Sequence, residues 1–267
     1  MVRTAWAFIT RDFLLTVSYR AAFAGQILLI LVGVSLLYYL GKVVDSSMNP
    51  LLKAYAGDYF AFLLIGVALS DFMKVSLATL NTSIRESQMM GTLEIILLSP
   101  LRVMLVLIYS CLWSYIFASI RFGIYLLVGF ALYGFEPRHA NYLGALLVLS
   151  VSIVCFTSFG MMTAAALLVF KRGDTSMFMS IAAVFLGGVM FPVDMLPTWL
   201  QALSSLLPIT HTLTGMRQAV MLGYPVSRLL PEVGALLLLT LLLFPLGAVS
   251  VAIATRRAKI SGTLAHY

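Results

Sequence analysis

The sequence predicts an all-α, polytopic membrane protein with six transmembrane helices. Of its 267 residues, 61% are hydrophobic and only 10% are charged, and the mean hydropathy is +1.03. An ordinary soluble domain is about a quarter charged. A chain of this size also needs a polar exterior in water, and no stretch supplies one. We therefore exclude a soluble globular fold and predict a single transmembrane domain over residues 1–267.

Long apolar runs give the positions of the spans, because about 20 apolar residues in a helix cross the hydrocarbon core. We expect five full crossings, at Ala21–Leu40, Tyr59–Leu80, Val103–Tyr133, Tyr142–Phe170 and Val233–Ala254. Between the last two lies a shorter apolar run, Ser176–Phe191, whose 16 residues reach only about 24 Å. This fifth helix is short for a full crossing.

The segment 192–231 is apolar but is interrupted by prolines 192, 197, 208 and 225. Irregular backbone at membrane depth must be covered by protein or line a water-filled cavity. We therefore predict one or two short re-entrant helices over Leu196–Leu222, forming an outer gate. An ordinary amphipathic surface loop is the alternative.

Basic residues predict the orientation. With the N-terminus inside, ten Lys and Arg residues fall on the cytoplasmic side and five on the outer side, which favours cytoplasmic termini. Residues 1–19 mix Trp6, Phe8 and Phe13 with charged residues, which predicts an interfacial helix. Residues 255–267 form a cytoplasmic tail.

Motifs for enzymatic chemistry are missing from the sequence. It contains no phosphate-binding loop, no H-E-x-x-H, no G-x-S-x-G and no C-x-x-C. Its three histidines are isolated, and its basic residues are scattered rather than gathered into a nucleic-acid-binding face. We expect no enzyme, no bound cofactor or metal and no nucleic-acid partner. Energy for transport must come from another chain or an ion gradient.

Three ionisable residues lie inside predicted spans: Asp71 and Lys74 in the second helix and Arg121 in the third. Each costs about 2.5–3.5 kcal/mol at the bilayer centre, so each should face a partner or water. Asp71 and Lys74 share a helix face and are able to neutralise each other. The alternative is a translocation path or proton relay, with Arg121 meeting Asp71 or an anionic head group.

The link between the second and third helices, residues 82–102, is too polar to span the membrane. Leu93, Ile96 and Leu97 share one face while Glu94 points away. We predict an amphipathic helix parallel to the membrane, whose polar side is offered to a cytoplasmic partner.

Two motifs carry a family resemblance. The link reads Arg85-Glu86, then Gly91-Thr92-Leu93-Glu94, then Leu97-Leu98-Ser99-Pro100. The second motif runs through Gly188-Val189-Met190-Phe191-Pro192, Leu196-Pro197-Thr198-Trp199-Leu200, Leu207-Pro208-Ile209-Thr210, Arg217 and Gly223. With the six-span layout, the chain resembles the membrane subunits of type 2 ATP-binding-cassette (ABC) exporters.

This resemblance implies a homodimeric permease in a bacterial or archaeal plasma membrane, paired with a separate ATPase subunit that holds ATP and Mg. The implied coupling residues are Arg85, Glu86, Gly91, Thr92, Leu93, Glu94 and Pro100. The implied gate residues are Phe191, Pro192, Pro197, Trp199, Pro208, His211 and Arg217.

The sequence departs from the family pattern at two places. Gln88-Met89-Met90 replaces a charged pair before the coupling motif, and His211 stands where the family often has Tyr. The histidine is either a neutral substitution or the source of a pH-sensitive gate.

The function that follows is export of a hydrophobic or lipid-like substrate, of the drug or lipid class, between two permease chains. Polysaccharide or glycolipid export is the alternative. A proton-coupled secondary transporter and a non-transporting scaffold or sensor subunit are the remaining hypotheses.

Overall fold

The computed structural model describes residues 2–43, 58–89, 103–135, 137, 140–170 and 175–260. Within these ranges the chain forms nine α-helices, one 3₁₀ turn at Val193–Met195 and no strand. The helices are α1 (Val2–Ser18), α2 (Arg20–Val43), α3 (Tyr59–Met89), α4 (Val103–Tyr133), α5 (Tyr142–Phe170), α6 (Thr175–Leu186), α7 (Thr198–Ser204), α8 (Pro208–Val220) and α9 (Val226–Ile260).

Five of these helices, α2, α3, α4, α5 and α9, are long and apolar enough to cross a membrane. The prediction of an all-α, polytopic membrane protein is confirmed. Helix α6, the predicted short fifth helix, has 12 residues and a length of about 18 Å. It ends at Leu186, five residues earlier than expected.

The last span begins earlier than the sequence analysis placed it. Helix α9 starts at Val226 rather than at Val233. The sequence predicts Pro231 in the preceding loop, yet it lies in the second turn of α9. The helix runs through Pro231 and also through Pro245, although each proline removes one backbone hydrogen bond.

Helix α3 is the centre of the bundle. Its most apolar stretch is 78% buried, against 17% to 39% in the other four candidate spans. Helices α2, α4, α5, α6 and α8 all pack against it, and its side chains Phe62, Leu64, Ile65, Leu69 and Phe72 are almost fully buried. The features that involve α3 are therefore held by most of the fold.

The predicted re-entrant segment forms two short helices, α7 and α8, after the 3₁₀ turn. Pro197 immediately precedes α7 and Pro208 is the first residue of α8, positions where the missing N–H costs nothing. Ten of the 13 residues of α8 are buried, against α3, α5 and α9 among others. This burial contradicts an amphipathic surface loop.

The N-terminal helix α1 occupies the stretch predicted to be helical. Its Phe13 ring packs edge-on against Trp113 of α4, with 5.3 Å between ring centroids. Trp6 and Leu14 remain exposed, at 69% and 59%. Exposed apolar side chains on a helix attached to a membrane bundle suit contact with lipid, as the interfacial prediction requires.

Candidate functional site

The predicted coupling residues lie mostly outside the described part of the chain. The backbone of Arg85 and Glu86 belongs to the last turns of α3, which runs without a break to Met89. Gly91, Thr92, Leu93, Glu94 and Pro100 fall within residues 90–102, outside the described ranges. Their coupling role stays a prediction.

The intramembrane charges pair across helices. A guanidinium nitrogen of Arg121 in α4 lies 2.7 Å from a carboxylate oxygen of Asp71 in α3, and both side chains are about one-fifth exposed. Lys74 is exposed and makes no ion pair within the described residues. Asp71 thus forms its ion pair across helices, with Arg121, while the charge of Lys74 acts on the same carboxylate from a longer distance. The guanidinium of Arg121 forms the ion pair with the Asp71 carboxylate, while Lys74 lies about one turn further along α3.

These charges occupy the one uncovered face of the most buried helix. Between residues 60 and 79 of α3, the positions that keep accessible surface are 67, 71, 74, 75, 78 and 79. Spacings of three and four residues place them on one side of the helix. Tyr125, one turn above Arg121 in α4, interacts with the same guanidinium. Asp71, Lys74, Arg121 and Tyr125 therefore form a polar cluster within apolar spans.

Arg217 of α8 is the centre of the predicted gate region. It is only 3% exposed and donates hydrogen bonds to the backbone carbonyls of Gly188, Val189 and Phe62, at 2.8, 3.1 and 3.1 Å. Its guanidinium carbon also lies 3.3 Å from the centroid of the Phe62 ring. One side chain thus joins α8, the end of α6 and α3.

The need for this contact arises from the backbone after α6. A helix that ends inside a bundle leaves carbonyls without their usual partners. Gly188, with φ of +78°, turns the chain away from the helix axis, and Arg217 donates hydrogen bonds to the carbonyls of the buried residues Gly188 and Val189. Gly66 of α3 allows the close approach, because a Cβ there would overlap the Val189 carbonyl oxygen.

His211, the second polar residue of α8, bridges two other helices. Its Nδ1 lies 2.8 Å from a carboxylate oxygen of Glu232 in α9, and its Nε2 lies 2.9 Å from the carbonyl oxygen of Ser205 after α7. Glu232 does not stand out in the sequence, because the last span is predicted to begin one residue after it, at Val233. A single carboxylate seven residues after Gly223-Tyr224-Pro225 matches no sequence motif.

The remaining gate residues divide between the core and the surface. Pro192 and Pro208 are buried, Phe191 is half-buried, and Pro197 is exposed. Trp199 is 65% exposed, which suits an indole at the membrane interface. Arg217 and His211 are therefore the gate residues that the fold brings into contact with neighbouring helices.

The hydrogen bond to Glu232 and, secondarily, that to Ser205 raise the pKa of His211 above 6.5, against the opposing effect of its burial. Because the pKa of His211 is higher in the folded state, the protonated imidazole stabilises the folded chain. This contribution is complete below the pKa of the unfolded chain and is lost as the pH rises through the pKa of the folded chain. We expect His211→Asn to cost about 1–2 kcal/mol near pH 6 and less near about pH 9.

Thermal unfolding of the purified chain across this pH range measures the difference. Thr214→Ala is the matched control, since that half-buried side chain of the same helix hydrogen-bonds only within α8. A His211→Asn penalty that does not change with pH would show that the imidazole acts in its neutral form.

An apolar groove of about 740 Å³ lies between α4, α5 and α8. Its walls include Phe122, Leu126, Phe130, Leu146 and Met216. The groove lies where α4 ends and α5 begins. It suits an acyl chain in size and polarity.

Comparison with known proteins agrees with this architecture. The profile of the ABC-2 type transporter family matches residues 5–221. Nodulation protein J of Rhizobium leguminosarum bv. trifolii is 29% identical over 184 residues, covering 67% of this chain and 68% of the relative. Its counterpart in R. leguminosarum bv. viciae is 28% identical over 184 residues, covering 67% and 69%. The match extends from the N-terminal helix through the coupling link to the end of α8, and the chain belongs to the ABC-2 type transporter family.

Proposed function

We propose that the chain is the membrane-spanning permease subunit of an ABC exporter, driven by ATP hydrolysis on a separate ATPase subunit. The family match over residues 5–221 carries this proposal, because it includes both the coupling link and the gate region. We further propose a homodimer in a bacterial or archaeal plasma membrane, with both termini in the cytoplasm.

Helix α3 supplies a mechanical connection between the two ends of the molecule. Its 31 residues form a continuous helix about 46 Å long. Near one end, the Phe62 carbonyl and ring contact Arg217 of the gate region. The other end, at Met89, leads directly into the predicted coupling motif. Movement of the link by an ATPase would therefore reach the gate through one rigid element.

The substrate that suits this surface best is lipid-like. The polar cluster around Asp71 lies within an apolar span, and the groove beside α4 and α5 is almost entirely apolar. An amphiphile with a polar head and an apolar chain matches both features. A polysaccharide or glycolipid is the second candidate, since a glycan carried on a lipid anchor offers the same apolar chain.

The test is reconstitution of the permease in vesicles with its ATPase partner and a fluorescent phospholipid. We expect transbilayer movement of the probe only with ATP and an ATPase that hydrolyses it. A partner whose catalytic carboxylate is neutralised is the matched control, because it still assembles and binds nucleotide. Transport without the ATPase, or transport that an uncoupler abolishes and ATP does not affect, would instead establish a secondary transporter.

A further inference from the structure

The cluster formed by Asp71 and Lys74 of α3 with Arg121 of α4 carries more positive than negative charge. Lys74 and Arg121 contribute two cations, and Asp71 contributes one carboxylate, which is already bound to Arg121. All three belong to stretches that are apolar enough to cross the membrane. An ammonium group at this depth is costly unless water or an anion meets it.

We propose that Lys74 and Arg121 form a binding site for an anionic group, a phosphate or a carboxylate, on the amphiphile that the permease exports. Asp71 is the positioning residue that orients the guanidinium. The inference rests on the proposed function and specifies its substrate class: an amphiphile with a negatively charged head group.

Arg121 keeps a donor that its neighbours do not use. The bond to Asp71 uses one terminal nitrogen and Tyr125 also interacts with the guanidinium, while the buried Nε has no hydrogen-bond partner in the described structure. Lys74 lies three residues from Asp71 on the same face of α3, about 4.5 Å further along the axis. Its ammonium provides three donors for an anion.

The depth of the site matches loading from the cytoplasmic side. Asp71 and Lys74 lie 12 and 15 residues after Tyr59, the first residue of α3, and therefore about 18 and 22 Å along the helix. Both fall in the half of the span nearer Met89, which the charge distribution places towards the cytoplasm. A head group from the inner leaflet would meet Lys74 after crossing less than half of the hydrocarbon core.

A lysine that merely extends its ammonium to the membrane surface is the competing explanation. Such a lysine would attract anionic lipids no better than any other exposed lysine near a span. Lys42 provides this comparison, because it is exposed in the last turn of α2 and lies over the Tyr38 ring.

The experiment measures lipids retained by the purified permease in native mass spectrometry, using phosphatidylglycerol and phosphatidylcholine with matched acyl chains. We expect selective retention of phosphatidylglycerol by the native chain and by Lys74→Arg. Lys74→Gln should lower that selectivity about tenfold, the effect of losing a charged hydrogen bond. Lys42→Gln should leave it unchanged.

Equal selectivity in Lys74→Gln and Lys42→Gln would overturn the site. If inorganic phosphate alone displaces phosphatidylglycerol, the site binds a free anion, and the proposal that it binds an amphiphile is wrong. Because retention is measured without the ATPase, the binding result is separate from ATP-driven transport, so either proposal is able to fail while the other holds.

Discussion

Replacing Arg217 by leucine should lower the free energy of unfolding by about 3–5 kcal/mol. The substitution removes the donor to the carbonyls of Gly188, Val189 and Phe62, in a position that is 3% exposed. Each buried acceptor that loses its donor costs about 1–3 kcal/mol. Removal of the desolvated charge offsets part of this sum.

Arg217→Lys separates the effect of the planar guanidinium, which donates several hydrogen bonds, from the effect of the positive charge. A lysine keeps the charge but lacks the planar fork that reaches several carbonyls together. We expect an intermediate loss of about 2 kcal/mol. Denaturant unfolding in detergent measures both variants.

Arg228→Leu is the control for Arg217→Leu. Arg228 is exposed and contacts the Tyr224 ring at 5.2 Å, so its loss should change stability by no more than about 0.5 kcal/mol. If Arg217→Leu unfolds at the same denaturant concentration as Arg228→Leu, the gate region is not held by this side chain.

Replacing Arg121 by methionine should cost about 2–3 kcal/mol, less than for a fully buried pair because both partners are about one-fifth exposed. The loss arises chiefly because the Asp71 carboxylate is left in an apolar span without its partner. The double variant Asp71→Asn with Arg121→Met should recover most of this stability.

Transport separates the structural role of this pair from a functional one. If the pair serves stability alone, the double variant restores both the unfolding transition and ATP-driven lipid transport. We expect restored unfolding but transport that remains at least about tenfold below the native rate, since the guanidinium donors are absent. Ser119→Ala, two residues from Arg121 in α4, is the control, because among the described residues its hydroxyl donates a hydrogen bond only to the Tyr115 carbonyl of the same helix.

The spans were predictable because hydropathy alone determines which segments enter a bilayer. Helices α4 and α5 begin and end at the residues expected from the apolar runs. The start of α9 was not predictable in this way, because a proline in the second turn of a helix has the same appearance in sequence as one in a loop.

The contacts of the candidate site required the folded structure. Sequence spacing shows that Asp71 and Lys74 share a helix face, but it gives no information on which neighbouring helix reaches that face. Arg121 meets Asp71 only because α3 and α4 pack together. The partners of Arg217 are backbone carbonyls, which every residue possesses and which no pattern of side chains reveals.

The position of the ion pair along α3 has a consequence for how far the gate moves. The contact with Arg121 lies at residue 71 of a helix that runs from Tyr59 to Met89, so its two arms are about 18 and 27 Å long. If α3 tilts about this contact as a lever, its outer end moves in the opposite direction to its inner end. The outer displacement is about two-thirds of the inner one. A movement of the predicted coupling link would then displace Phe62 and Arg217 by a smaller distance and in the opposite direction.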